Sequence, residues 1–181
     1  MTGELGTRLV VLRGNSGSGK STTAQELRAR LGRGVAWVEQ DYLRRILLRE
    51  HDLPSAPNIG LIDQTVRYAL DSGYDVVLEG ILNSQAYGEM LRRLIGDHKG
   101  VTGTYYFQLS LEETLRRHAG RPLAKVVTPD AMRGWYQPYD VLGVPGEHVF
   151  DETSSLDATV ERIRADLDWK QGAVLRGLLD D

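Results

Sequence analysis

Hydrophobic positions along the chain follow two alternating rhythms. Short, nearly unbroken apolar runs recur at Arg8–Arg13 (RLVVLR), Gly34–Glu39 (GVAWVE), Asp75–Glu79 (DVVLE), Val101–Leu109 and His148–Asp151. Runs of this length, rich in valine and bounded by turn residues, predict strands buried on both faces. Between them, apolar residues stand three and four positions apart, the spacing that gathers them on one side of a helix. Helices are predicted over Ser21–Leu31, Asp41–Arg49, Ile59–Ser72, Ser84 to about Ile95, Ser110 to the Arg121-Pro122 interruption, Pro129–Trp135 and Ser155–Trp169. Several ends carry their own chemistry. Ser110 with Glu113 three residues on is a capping-box pattern, Thr128-Pro129 is a cap followed by a first-turn proline, and Ser72-Gly73 is a stop. The segment Asp52–Asn58 (DLPSAPN) holds two prolines and breaks the periodicity.

Strands that alternate with helices imply an α/β fold with an open, mostly parallel sheet, because parallel neighbours need crossover connections. Ligands of such sheets bind beyond the carboxyl ends of the strands. The loops after residues 13, 39, 79, 109 and 151 are therefore expected along one edge. No repeat, low-complexity stretch or long linker divides the 181 residues, so one domain over 1–181 is expected.

Composition narrows the partners. Hydrophobic residues make up 41% and charged residues 26% of the chain, an ordinary balance for a soluble globular protein. A net charge of −3 and a pI near 5.8 provide no global positive field for a long nucleic acid duplex. The absence of cysteine excludes disulfides, thiolate catalysis and Cys-ligated zinc. The four histidines, at 51, 98, 118 and 148, lack metal spacing and read as structural or surface residues. No run approaches the ~18 apolar residues of a membrane span, and the first residues lack a signal-peptide pattern, so no membrane association is expected.

One segment carries most of the chemistry. Gly14, Asn15, Ser16, Gly17, Ser18, Gly19, Lys20 and Ser21 match the phosphate-binding pattern G-x-x-x-x-G-K-[ST] without a gap, between a strand and a helix as that pattern requires. The glycines free the backbone to turn successive amides inward around phosphate oxygens. Lys20 is expected on the β- and γ-phosphates and Ser21 on Mg²⁺, while Thr22 continues the cradle into the helix N-terminus. This predicts a P-loop NTPase three-layer sandwich of five strands in the order 2-3-1-4-5, with ATP and Mg²⁺ as cofactors and a helical lid at about 112–135. Reliance on ATP points to a cytoplasmic protein.

Other polar residues stand where the strands end. Asp41, just past the second strand, is placed either to accept the proton of an attacking hydroxyl or to cap its helix. Arg44, three residues on, shares its face and can clamp an acceptor, whereas Arg45 reads as a solvated charge. Glu79 ends the third strand and suggests a water-mediated metal contact or a grip on acceptor hydroxyls. A neighbouring arginine is the alternative partner at that accessible strand end. Asn83 can add a neutral hydrogen bond. Arg117 and Arg121 have the spacing of a lid that stabilises transferring phosphoryl oxygens, while Arg116 suits the helix C-terminus. Trp135, Tyr136 and Tyr139 either line an acceptor pocket or pack the last lid helix.

With these residues in place, the chain resembles the kinase domain of phage-type polynucleotide 5′-kinase and its relatives, a group that includes zeta-toxin-like and small-molecule kinases. The resemblance runs over nearly the whole sequence and rests on GNSGSGKS, DYLRR, LRRHAGR and TPDAMRGWY. It implies that Asp41 is the general base, Arg44 an acceptor contact, and Arg117 and Arg121 phosphate stabilisers. The group's polynucleotide enzyme has aspartate after the third strand where this chain has Glu79, and GILN lacks that enzyme's polar residues. A small hydroxylated acceptor, such as a nucleoside, sugar or antibiotic-like metabolite, is accordingly favoured over a 5′-hydroxyl polynucleotide. A nucleotide-dependent switch is the third class, and the guanine-reading N-K-x-D and the transporter-type LSGGQ are both missing. Adenine or guanine as the base, the acceptor itself and the oligomeric state stay open at this level.

Overall fold

The computed structural model describes residues 1–120 and 127–170. Five strands form one sheet: β1 (Arg8–Gly14), β2 (Val35–Glu39), β3 (Asp75–Gly80), β4 (Val101–Phe107) and β5 (His148–Phe150). Their spatial order is β2-β3-β1-β4-β5, and every neighbouring pair is parallel rather than mostly so. β1 lies in the middle, with Val10 opposite Val77 on one side and Gly103 on the other.

The sheet is covered on both faces because β1 is apolar at successive positions. Val10 and Leu12 join α1 (Lys20–Leu31) and α6 (Leu156–Asp166) through Leu27, Leu31, Val160 and Ile163. Leu9 and Val11 point the other way, into α2 (Pro57–Asp71) and α3 (Ser84–Asp97), where they meet Ile62, Val66, Leu91 and Leu94. Alternation of side chains along one strand thus feeds two cores. α4 (Leu111–Ala119) and α5 (Pro129–Trp135) stand above the carboxyl ends of the strands, where the lid is expected. The connecting residues 121–126, Arg121 among them, lie outside the described residues.

Several boundaries differ from the sequence pattern for local reasons. The segment after β2 is a π-helix, Tyr42–Leu48, with none of its residues buried. α2 starts earlier than its periodicity suggests, at Pro57, whose fixed φ suits the first helical turn. Asn83, not Ser84, caps α3, its side chain accepting a hydrogen bond from the Ala86 amide at 2.9 Å. The last helix stops at Asp166 instead of Trp169 because Trp169 turns into the core, 2% exposed. There its indole N–H donates to Asp75 Oδ2 at 2.8 Å, across 94 residues of sequence. Burial lifts the Asp75 carboxyl above its ordinary value, and the Arg8 amide and this indole oppose that lift.

Replacing Trp169 by alanine should therefore cost about 3–5 kcal/mol and lower Tm by on the order of 10 °C. Trp169→Phe keeps most of the packing and should lose only the hydrogen bond, about 1–3 kcal/mol. Calorimetric melting of the two variants checks the difference.

Candidate active site

The loop after β1 takes its shape from three glycines with positive φ: Gly14 at 141°, Gly17 at 81° and Gly19 at 105°. Space as well as φ demands glycine at two of them. A Cβ on Gly14 would stand 2.6 Å from the Phe107 carbonyl oxygen, and one on Gly17 2.7 Å from that of Thr114. The loop is thus pressed against β4 and α4. Lys20 lies buried beneath it, its ammonium donating to the Asn15 carbonyl at 2.8 Å and the Ser18 hydroxyl at 3.2 Å.

Side chains beneath the loop fix its position. Arg13 is 0% exposed, and its guanidinium donates to the Leu82 carbonyl at 3.0 Å, to Asp140 at 3.0 Å and to Glu147 at 3.4 Å. Burial lowers its pKa, and the two carboxylates oppose that effect. Asp140 also takes the amide and hydroxyl of Ser84, so one arginine ties β1 to the start of α3 and to the segment before β5. Asn15 makes a two-point contact with the backbone of Gln137, donating at 2.7 Å and accepting at 2.9 Å. Its side chain is therefore occupied in holding the loop, while its carbonyl faces Lys20.

Two cavities open on either side of this loop. One, about 300 Å³, is lined by Gly17, Ser18, Gly19, Thr22, Arg117, Phe150 and Asp151, among others. Arg117 reaches it from α4, donating to Glu113 at 2.6 Å and to the Ser18 carbonyl at 3.5 Å. Ser110 caps α4 as expected, its hydroxyl accepting the Glu113 amide at 3.2 Å, but the Glu113 carboxylate does not return the bond: it grips Arg116 and Arg117, and they hold its pKa down to about 2. Two guanidiniums bind a carboxylate more strongly than one backbone amide does. Arg116, 73% exposed, faces away into solvent, as suits a helix C-terminus.

The second cavity, about 390 Å³, is lined by Ser16 of the loop, Asp41, Arg44, Arg45, Asp52, Asn83 and Trp135, among others. Asp41 does not cap its helix. It sits in helical backbone, makes no capping bond, and pairs with Arg44 at 2.8 Å and Arg45 at 3.6 Å. Arg45 thereby joins the cavity instead of standing free in solvent. The repulsion between two first-turn cations and the helix dipole is offset by that carboxylate. Asn83 lines the same space although its carbonyl oxygen is used by the α3 cap. The aromatic trio divides: Trp135 lines the cavity, Tyr136 donates its hydroxyl to the Leu109 carbonyl, and Tyr139 is 63% exposed.

Glu79 lies deeper than a strand end suggests, only 2% exposed. No arginine meets it among the described ion pairs. The Ser21 hydroxyl and Lys20 stand close enough to favour its charged form, yet burial dominates and raises its pKa. Its Oε1 has no hydrogen-bond partner among the described residues. A buried acidic oxygen left over beside the Ser21 hydroxyl suits the hydrated shell of a hard cation such as Mg²⁺.

Sequence reasoning missed the wall behind the second cavity. Asp52 accepts the Tyr87 hydroxyl at 2.5 Å and the Gln40 amide at 3.3 Å, and Tyr87 in turn accepts from Asn58 at 2.7 Å. The available signal was only that DLPSAPN follows the second strand's carboxyl end, where ligands gather.

Known structures share this frame. The APS kinase of Mycobacterium tuberculosis, solved with AMPPNP and APS, is 22% identical, with a TM-score of 0.69 over 90% of this chain and 98% of that one. A gluconokinase from Sinorhizobium meliloti 1021 is 19% identical, with a TM-score of 0.62 over 91% and 92%. A chain of the Pnkp1/Rnl/Hen1 complex is 22% identical, with a TM-score of 0.50 over 61% and 38%. No curated protein matches the sequence significantly. Residues 9–138 match the sequence model described as an AAA domain. The chain belongs to that AAA domain family and has the nucleotide-binding fold of the small P-loop kinases.

Proposed function

We propose that the protein is an ATP-dependent phosphotransferase that moves the γ-phosphate to a hydroxyl of a small-molecule acceptor. The observation that carries this reading is the loop shared by two cavities, Gly17 to Gly19 on one and Ser16 on the other. A hydrolase or switch needs only the first. A transferase needs a second space that meets the terminal phosphate from the far side, lined by a group able to take a proton.

In this reading the nucleotide enters past Arg117, and its phosphates replace the Asn15 carbonyl and Ser18 hydroxyl as partners of Lys20. Arg117 adds charge stabilisation, with Arg121 proposed for the same role. Ser21 would hold Mg²⁺, with Glu79 anchoring its waters; the ion's part is to neutralise the β- and γ-phosphate oxygens. In the other cavity Asp41 orients the acceptor hydroxyl. The acceptor oxygen bonds to the γ-phosphorus as the bond to the β,γ-bridging oxygen breaks, and the hydroxyl proton passes to Asp41. Arg44 holds Asp41 and keeps a buried Nε–H without a partner among the described residues, free to bind the acceptor. ADP and the phosphorylated alcohol leave. Asn83 contributes through its amide group.

Incubation with labelled ATP and either a metabolite panel or a short 5′-hydroxyl oligonucleotide tests the acceptor. Label should appear on a small molecule; label on the oligonucleotide at low enzyme concentration would reject that acceptor class. Asp41→Asn should reduce transfer by roughly 10²–10⁴-fold while ATP affinity is retained, because Asp41 lies outside the nucleotide cavity. Unchanged turnover would remove it as the base.

Glu79→Gln should separate stability from activity. Its folded-state pKa lies above the unfolded one, so the stability it contributes is present in acid, below the unfolded value, and is lost as pH rises through the folded value. At neutral pH its burial is a cost. The variant without nucleotide should melt higher at pH 7, by about 2–4 °C per kcal/mol relieved, with the gain shrinking in acid. Its phosphotransfer should fall on the order of 10²-fold. Melting curves at several pH values and initial rates check the two halves.

A further inference from the structure

The second cavity has two carboxylates with different surroundings. Asp41 is matched by two guanidiniums, Arg44 at 2.8 Å and Arg45 at 3.6 Å. Asp52 is held by neutral donors alone among the described residues: the Tyr87 hydroxyl at 2.5 Å and the Gln40 amide at 3.3 and 3.4 Å. Those donors are themselves locked in place. Gln40 is buried with its carbonyl oxygen on the Leu82 amide, and a Cβ on Gly80 would collide with its side chain. Tyr87 is 0% exposed and takes a hydrogen bond from Asn58, also 0% exposed. Burial and the Asp52 contact push the Tyr87 hydroxyl's pKa well up, so it remains a donor.

Three residues, Gln40 just past β2, Asn58 of α2 and Tyr87 of α3, are thus spent on orienting one carboxylate. If Asp52 served only that network, an amide or hydroxyl could accept the same bonds without bringing a charge. The cavity it shares is lined in part by apolar Pro54, Ile81, Ala86 and Val127, and the two guanidiniums in the same lining, Arg44 and Arg45, are paired with Asp41. A charge kept in such a place, oriented but not neutralised, is suited to a cation that arrives with the ligand.

We infer that Asp52 is the counter-charge for an amino group on the acceptor, so that the substrate is an amino-bearing alcohol, such as an amino sugar or aminocyclitol. This rests on the phosphotransfer reading and deepens it. The acceptor's ammonium docks on Asp52 while one of its hydroxyls lies at Asp41, with Trp135 in the lining of the same cavity.

Matched acceptors that differ in one group test the assignment: glucosamine against glucose and gluconate, and an aminocyclitol against inositol. The amino member of a pair should show a kcat/KM roughly 10- to 100-fold above its uncharged analogue. Asp52→Asn should bring that ratio to about one. Tyr87→Phe, which loosens the carboxylate without removing its charge, should lower the ratio several-fold. Native-like far-UV spectra and ATP affinity in both variants would show that the fold is kept. Preference for the neutral or anionic members, or a ratio unchanged in Asp52→Asn, overturns the counter-charge while leaving phosphotransfer standing. Absence of transfer to every compound, with any ATP turnover indifferent to Asp41→Asn, defeats both.

Discussion

A guanidinium with no exposed surface sits under the phosphate loop, and the segments that build the site hang from it. Arg13 is the last residue but one of the central strand, and its three acceptors come from the turn after β3 and from the stretch before β5. Taking an arginine out of water is costly unless its hydrogen bonds are made and its charge is met. The requirement works in reverse as a constraint on geometry: Leu82, Asp140 and Glu147 must all arrive together. When they do, α3 starts where Asn83 faces the second cavity, and Gln137 lies where Asn15 can bind its backbone at both ends.

That constraint explains why the loop can be both permissive and fixed. Its glycines give up side-chain contacts to let amides converge, which leaves little to hold the segment from above. Rigidity is supplied from below by Arg13 and Asn15 and from the side by Thr114 and Phe107, whose carbonyls leave no room for a Cβ. Preorganised dipoles of this kind do not have to reorient when charge appears.

The frame was legible in the sequence where the signal is local. RLVVLRG reads as a two-faced central strand, the order of strands and helices restricts the topology, and GNSGSGKS declares its own backbone. What escaped depends on partners far along the chain. Arg13 looks like the polar end of a strand until Asp140 and Glu147, 127 and 134 positions away, come to meet it. Glu79 looks accessible until α1 covers it. Trp169 looks like one more turn of helix until Asp75 claims its indole. Asp41 is legible from its place after β2, and Arg44 and Arg45 from their helical spacing to it, but no apolar period announces that the segment winds as a π-helix. Asp52 sat inside a proline-broken stretch with no rhythm, and only Tyr87 and Gln40 reveal that its direction is set.

The two halves of the site are also built on unequal foundations. The loop and its first cavity stand on β1, which is flanked by strands on both sides and buried from Leu9 onward. The second cavity leans on an edge strand and on a π-helical segment with Tyr42, Ile46 and Leu47 turned outward. Substitutions in that rim disturb little of the interior, so drift can reshape the second cavity long before it threatens how the chain folds. A scaffold arranged this way lends itself to diversification: the phosphate loop is anchored at the centre, and the second cavity is left at the periphery, where substitution disturbs little else.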